Sequence, residues 1–277
     1  MGRVLIRKNS QVNRLSLRGF MILIPLSLPP PRRRGGAIFM RDPSTSLGMT
    51  MYMLNQRRAH ILGLLIRDYI ENPRPVGSSS LVRKHNLQIS PATVRSDFAS
   101  LEQNGFITQP HTSAGRVPTV RGYKYFVQYL VRESALAKRQ AAQLKSAREN
   151  NRRLLAQQLS DLSGESIALV DKDGRYFVSG LSQLFNKPEF NDETTRSSVG
   201  ELFDQFENMA NDLFAQMNND VETFIGDKRL PAPKCAVMGI KVNPQSREPF
   251  LIMMCGPLRM NYEANRALLQ HIKKIYE

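Results

Sequence analysis

The feature that most constrains the fold of this chain is the order of patterned segments between residues 54 and 127. Apolar side chains recur at helical spacing over 55–71 and stop before a pair of prolines, which predicts an amphipathic helix. A short second helix follows, capped by Ser78 or Ser79 and ending near Asn86.

A third helix is predicted to begin where Ser90 precedes Pro91, because serine caps a helix and proline fits its first turn. It runs to about Asn104, and Gly105 ends it. Its buried stripe is predicted to consist of Val94, Phe98 and Leu101. Two short helices joined by a tight turn form a helix-turn-helix, whose second helix contacts DNA.

A strand, a polar loop and a return strand follow the third helix. The strand is predicted at 106–109, the loop at 110–116, and the return strand from Val117. Thr119 is then placed to cap a fourth helix. This order predicts a winged helix-turn-helix DNA-binding domain over residues 53–130.

The candidate DNA contacts lie in the third helix, the loop and the fourth helix. They are Ser90, Thr93, Arg95, Ser96, His111, Thr112, Ser113, Arg116, Arg121 and Lys124. Arginine can hold guanine through two hydrogen bonds, and small hydroxyl donors suit phosphates or bases. Asp97 is placed off the buried stripe or on its flank. Two alternatives stay open: Arg95 is an ordinary solvated helix residue, and His111 is held by a backbone carbonyl.

The net charge of +15 is unevenly distributed. Basic residues exceed acidic ones by eight over 1–52, by six over 53–130 and by four over 131–163, whereas 164–277 has three more acidic than basic residues. This split predicts a polyanion partner, either nucleic acid or an anionic membrane surface. Residues 53–277 contain no long apolar run, which disfavours the membrane and favours double-stranded DNA.

Residues 1–52 are predicted to be a disordered or mis-assigned extension. Phe20–Leu28 is apolar but spans only about 14 Å as a helix, and Pro25 would break it. Since no small-residue cleavage site follows, a signal peptide is the weakest interpretation, behind a basic tail that binds DNA. The composition changes after Thr50, where several methionines could start a shorter chain.

The sequence lacks the marks of an enzyme. It contains no recognisable glycine-rich phosphate loop, no metal-ligand spacing and no nucleophile beside a base. Its cysteines, Cys235 and Cys255, lie in apolar strand-like runs, which predicts buried free thiols in a reducing cytoplasm. We therefore expect no enzymatic activity, no cofactor and no metal.

The remainder of the chain is predicted to form a helix followed by a small α+β domain. Residues 131–163 contain no proline or glycine and predict one connector helix that also supports a dimer. Strands are predicted at 167–170, 176–178, 221–225, 235–242 and 249–254, and a last helix at 261–276. Another helix carries an apolar stripe that is assigned to the core or to a dimer surface: Leu202, Phe206, Met209, Leu213 and Met217. This predicts a regulatory and dimerisation domain over 164–277.

Several strings carry a family resemblance. In the front half they are Pro75-Val76-Gly77-Ser78, Ser90-Pro91-Ala92-Thr93-Val94-Arg95-Ser96-Asp97, Leu101-Glu102, His111-Thr112-Ser113-Ala114-Gly115-Arg116-Val117-Pro118 and Gly122-Tyr123-Lys124-Tyr125. In the back half they are Gly180-Leu181-Ser182-Gln183-Leu184-Phe185-Asn186-Lys187-Pro188-Glu189-Phe190 and Gly256-Pro257-Leu258-Arg259-Met260-Asn261-Tyr262. These strings resemble the heat-inducible transcription repressor family, HrcA.

The resemblance implies a repressor of chaperone genes that binds an inverted-repeat operator of the CIRCE type as a homodimer. It also implies that the chaperonin GroEL keeps the repressor active and that heat stress draws the chaperonin away. The family's back half is a GAF-like fold interrupted by an inserted dimerisation domain. Here the connector runs almost directly into 163–166, so the chain resembles a short variant that lacks part of the GAF-like domain and the insertion.

The expected architecture is therefore α+β, with a winged helix-turn-helix, a connector helix and a small GAF-like domain. The alternative function is a winged-helix regulator that senses a small ligand, because GAF-like folds often bind effectors. The sequence of 164–277 shows no convergent polar cluster that would define such a pocket.

Overall fold

Local capping signals set the limits of many helices in this computed structural model. It describes residues 54–217, 219–227, 232–245 and 248–276, apart from the side chains of 147–150 and 206–211. The extension predicted for 1–52 lies outside the described residues.

The N-terminal module, Leu54–Leu130, consists of short helices and a two-stranded hairpin. Its elements are α1 (Gln56–Glu71), α2 (Ser78–His85), α3 (Pro91–Gln103), β1 (Ile107–Thr108), β2 (Val117–Pro118), α4 (Val120–Tyr125) and a π-helical turn (Phe126–Leu130). β1 and β2 pair antiparallel. A further bridge joins Val76 to Arg116 and ties the hairpin to the segment before α2. The predicted order of three helices, strand, loop, strand and helix is confirmed.

The caps of α3 and α4 are the predicted ones. The side chains of Ser90 and Thr119 accept the backbone N–H three residues on, and Gly105 follows α3 with φ 72°. The predicted cap of α2 is wrong: Gly77 holds the N-cap position and makes no side-chain hydrogen bond. Asn86 ends α2 in the left-handed region, with φ 49°, which allows the tight turn into α3.

The single connector helix predicted for 131–163 is also wrong. The chain continues without helix or strand after Val131 and then forms α5 (Lys138–Asn150) and α6 (Arg152–Ser163). The two helices are separated at Asn151, whose backbone is extended and whose side-chain oxygen accepts the N–H of Leu154 at 2.7 Å. An asparagine side chain that caps a new helix competes with continuation of the old one.

The C-terminal region, Ser166–Tyr276, is built on a five-stranded antiparallel sheet. Its elements are β3 (Ser166–Asp171), β4 (Tyr176–Ser179), α7 (Leu181–Phe185), a 3-10 turn (Pro188–Phe190), α8 (Glu193–Gln216), β5 (Glu222–Ile225), β6 (Cys235–Val242), β7 (Phe250–Pro257) and α9 (Tyr262–Tyr276). The strand order is β4-β3-β7-β6-β5. The predicted strands are all present, and the last one continues beyond Met254 to Pro257.

Helices cover both faces of this sheet. On one face alternate residues such as Val170, Val237 and Met253 pack with the apolar side of α7 and α8. On the other, α6 and α9 lie against the sheet, and the rings of Phe250 and Tyr276 meet edge to face with 5.4 Å between their centroids. The long central strands are therefore buried on both sides.

The apolar stripe of α8 belongs to the core. Leu202 and Met217 are buried in the cluster between α8 and the sheet, and Leu213 packs against it. Phe206 and Met209 lie outside the residues whose side chains are described. Cys235 and Cys255, on adjacent strands, are buried free thiols as predicted. The mixed helix-and-sheet class is confirmed.

Candidate nucleic-acid interface

The start of α3 is organised by two hydroxyl groups. The Oγ of Ser90 accepts the backbone N–H of Thr93 at 3.1 Å and lies 3.0 Å from the Oγ1 of Thr93. Pro91 occupies the first turn, where its missing N–H leaves no intrahelical bond unmade. Ser90 is exposed and Thr93 is half-buried, so the capping group itself faces solvent at the end of the helix.

One side of α3 is exposed and carries a single charge. Val94, Phe98 and Leu101 are buried as predicted. The exposed residues of the helix are Ala92, Arg95, Ser96, Ala99 and Gln103. Three of these five have side chains no larger than serine, so the backbone of α3 can approach another surface closely around the Arg95 guanidinium.

Asp97 is buried, which corrects its predicted place off the stripe. Its carboxylate is only 1% exposed and accepts from Arg57 at 2.8 and 3.0 Å and from Arg58 at 3.3 Å. Burial acts to raise the pKa of Asp97, but the hydrogen bonds and charges of Arg57 and Arg58 outweigh it and lower that pKa. The ion pairs fix α3 against the start of α1.

A second carboxylate fixes α2 to α1. Asp68 lies 2.9 Å from the Nε2 of His85 and 2.9 Å from the Nζ of Lys84. Lys84 also donates to Glu71 at 2.6 Å. With Asp97, this arrangement holds both α2 and α3 onto α1 through charged contacts.

The loop between β1 and β2 presents three of the candidate residues. His111, Thr112 and Ser113 are all exposed. The amide of Gln109 donates to the carbonyls of Thr112 and Ala114 at 2.8 and 2.9 Å, which braces the loop from its base. The loop therefore offers polar side chains on a backbone with fixed internal hydrogen bonds.

Arg116 is held inside the module. Its guanidinium pairs with Glu102 of α3 at 3.0 Å and its side chain is 18% exposed. Its backbone exchanges two hydrogen bonds of 2.9 Å with Val76. A Cβ at Gly115 would lie 2.4 Å from the carbonyl group of Val76, so only glycine fits this crossing. These contacts give Arg116 a bracing position between loop and helix.

The remaining candidates lie on α4. Arg121 is exposed, and its Cζ lies 4.8 Å from the centroid of the Phe106 ring. Lys124 is exposed one turn further on. The structure thus leaves Arg95, Ser96, the loop tip and Lys124 facing solvent, while Arg116 has a carboxylate partner.

Arg57 and Arg58 are not among the predicted site residues, yet both pair with Asp97 in the middle of α3. Arg57 is half-exposed and Arg58 is about a third exposed. The signal that could have found them is the position of Asp97 itself. It stands three residues after Val94 and four before Leu101, on the buried side of the helix, where a carboxylate needs a cationic partner.

These observations define a class: a mixed α+β protein with a small helical module that presents a basic helix face and a polar loop, joined to a covered antiparallel sheet. The chain belongs to the HrcA family, because the family described as HrcA protein C terminal domain matches residues 124–265, just over half of the chain. Curated relatives that carry the name HrcA are called transcription repressors, in line with the expectation that the chain is not an enzyme.

Curated relatives carry the name heat-inducible transcription repressor HrcA. The protein from Streptomyces avermitilis is 55% identical over 78 residues, which cover 28% of this chain and 23% of the relative. The protein from Acetivibrio thermocellus is 43% identical over 110 residues, which cover 40% of this chain and 31% of the relative. The chain thus spans less than a third of the length of these relatives.

A solved structure shares the fold. A crystal structure at 2.2 Å resolution of a protein described as hypothetical matches with a TM-score of 0.67 and 20% identity, covering 81% of this chain and 99% of that one. Within the described ranges, no helix is both long and apolar enough to cross a membrane.

Proposed function

We propose that this chain is a DNA-binding transcription repressor of heat-shock (chaperone) genes that acts in the cytoplasm as a homodimer on an inverted-repeat operator of the CIRCE type. The N-terminal module is then a winged helix-turn-helix, with α3 as recognition helix and the β1–β2 loop as wing. The C-terminal region is a small GAF-like regulatory domain. Heat and the chaperonin GroEL tune the activity, as the family resemblance implies.

The observation that carries the proposal is the division of α3 into two sides. One side is buried against α1 and anchored by Asp97, and the other exposes Arg95 among small side chains. A recognition helix needs both properties, because it must be rigidly held and must enter the major groove closely enough for base contacts. Exposed hydroxyls at the start of α3 (Ser90) and in the β1–β2 loop (Thr112 and Ser113) are suited to phosphate contacts.

Two-fold symmetry supports the operator part of the proposal. A homodimer presents two copies of α3 related by a two-fold axis, and such a pair matches an inverted repeat with a fixed spacing.

The test is a gel-shift titration with an inverted repeat taken from upstream of a chaperone gene in the same genome. Arg95→Ala should weaken binding by about 1–3 kcal/mol and relax base preference at one position of each half-site. Arg175→Ala is the matched control, because Arg175 lies in the turn after β3 and is 81% exposed. Equal affinities of Arg95→Ala and wild type would refute the assignment of α3.

The alternative, a winged-helix regulator that senses a small ligand, has one observation in its favour. A cavity of about 300 Å³ lies at the start of α8 and before β6. Its charged groups are already paired with each other, since Asp192 accepts from Thr195 at 2.6 Å and from Lys234 at 3.0 Å. A cavity whose charged groups are already paired offers a ligand few charged partners, so repression without a small effector is the better supported function.

A further inference from the structure

The family strings of the two halves converge at one place, where the N-terminal module meets the C-terminal region. Tyr123 comes from the string at 122–125, and Tyr262 from the string at 256–262. Their rings lie 6.1 Å apart between centroids, and Phe126 lies 6.4 Å from Tyr262. All three rings are buried. The module is therefore packed onto the C-terminal region rather than tethered by a free linker.

Two buried or half-buried ion pairs lie beside these rings, although the sequence of 164–277 showed no convergent polar cluster. Lys187 donates to Glu165 at 2.5 Å, and Arg259 pairs with Glu189. Glu165 is 4% exposed. Each charge has an opposite partner within the cluster, so the cluster holds structure together and leaves no charge for a ligand.

One charged contact at this junction joins three segments. Arg67 of α1 donates to Glu263 of α9 at 2.7 Å through Nη2 and at 3.2 Å through Nε. The same guanidinium donates to the carbonyl of Leu130 at 2.7 Å and lies over the Phe126 ring at 5.0 Å. The backbone N–H of Arg132 donates to Glu263 at 2.9 Å. One carboxylate thus ties together the module, the start of the linker and the last helix.

The linker that follows lacks regular secondary structure. Residues 131–137 form neither helix nor strand, and those at 132–135 are exposed. Burial acts to raise the pKa of Glu263, but the hydrogen bonds from Arg67 and Arg132 outweigh it and lower that pKa, so the contact stays ionised near neutrality. Arg67 and Glu263 are each 22% exposed, and water can reach both partners when they separate.

We propose that the Arg67–Glu263 pair is a latch that sets the direction in which the N-terminal module points from the C-terminal region. This inference rests on the proposed function, since its effect is on operator binding. In a homodimer both recognition helices must reach half-sites at one fixed spacing, and a module of fixed direction binds without first losing orientational freedom. The C-terminal region thereby controls affinity for the whole operator without touching DNA.

The experiment compares a full inverted repeat with a duplex that carries one half-site. Glu263→Gln keeps an acceptor for the Arg132 N–H and removes the charge that holds Arg67. It should weaken binding to the full repeat about tenfold and leave half-site binding within twofold of wild type. Hydrogen exchange should become faster over 130–137. Glu201→Gln, an exposed carboxylate on α8, is the matched control and should change neither quantity.

Three outcomes would overturn the latch. They are unchanged affinity for the full repeat, tighter binding to it, or an equal loss on both duplexes, which would mean that the module itself is damaged. Glu263→Asp guards against a folding defect, because it keeps the charge and should lie between wild type and Glu263→Gln. Failure of the proposed function looks different, since wild type would then bind the repeat no better than a random duplex.

Discussion

In the N-terminal module each strand has two residues, whereas the C-terminal region contains two strands of eight residues that are almost wholly buried. The module is held by helix caps, close glycine contacts and the carboxylates Asp68 and Asp97. The C-terminal region is held by an apolar core on each face of its sheet. A surface that binds DNA must leave polar groups outside, so its scaffold depends on a few specific contacts. A sheet covered on both faces depends on the total apolar area that it buries.

The largest expected effect comes from Gly122→Ala in the module. A Cβ at Gly122 would lie 2.2 Å from the carbonyl oxygen of Phe106, and a backbone atom cannot move aside cheaply. We expect a loss of roughly 3 kcal/mol or more in the free energy of unfolding, at or above the upper end of ordinary overpacking. Chemical denaturation followed by circular dichroism measures it. If Gly122→Ala were as stable as wild type, the N-terminal module would accommodate the added methyl group as easily as the C-terminal core does, and the close contact with Phe106 would not be needed.

Asp97→Asn should have the next largest effect. The substitution removes the charge that Arg57 and Arg58 share, and we expect a loss of roughly 1–3 kcal/mol because the site is buried. Asp173→Asn breaks a pair with Arg175 whose partners are 52% and 81% exposed, and should cost much less stability because solvent screens that pair. Thermal unfolding of both variants compares them. Similar melting temperatures would contradict the view that the module depends on its charged anchors.

Glu165→Gln probes a buried carboxylate directly before β3. Burial raises the pKa of Glu165 to about 7 from its ordinary 4.5, although Lys187 and Arg259 act to lower it. The folded state therefore holds this proton more tightly than the unfolded state. The resulting stability is fully present below pH 4.5 and is lost as the pH rises to about 7, by at most about 1.4 kcal/mol per pH unit.

The measurement for Glu165 is the melting temperature of wild type and Glu165→Gln at several pH values. The difference between the two curves should change between pH 4.5 and 7 and stay constant above that window. A constant difference throughout would mean that the carboxylate remains ionised in the fold. The C-terminal region would then hold an ionised buried carboxylate at Glu165, as the N-terminal module does at Asp97.

Gly200→Ala should have the smallest effect and the opposite sign. Gly200 is exposed in the middle of α8, and a Cβ there would meet nothing within 4 Å. Alanine should stabilise the helix by about 0.5–1 kcal/mol, because glycine loses more backbone freedom on folding. Denaturant titrations of Gly200→Ala and Gly122→Ala compare the change in the free energy of unfolding that the same substitution causes at the two sites. Destabilisation by Gly200→Ala would indicate a contact that the described side chains do not account for.

The ends of several helices follow from signals that are local in the sequence. Ser90, Thr119 and Gly105 mark helix ends through hydrogen bonds and backbone angles that involve only residues a few positions away. Hydrophobic spacing likewise located the buried stripe of α3 and the strand at Cys235–Val242. Signals of this kind are short-ranged, so they can be recognised before the fold is known.

Which polar side chains act as anchors depends on contacts between residues that are far apart in the sequence. Asp97 finds its partners 39 and 40 residues away, Arg116 is taken up by Glu102, and Arg67 meets Glu263 across 196 residues. The strand order of the sheet and the contact between Tyr123 and Tyr262 likewise depend on residues that are distant in the sequence. A charged side chain has the same local pattern whether it faces solvent or a distant carboxylate, because the pairing depends on which surfaces the folded chain brings together.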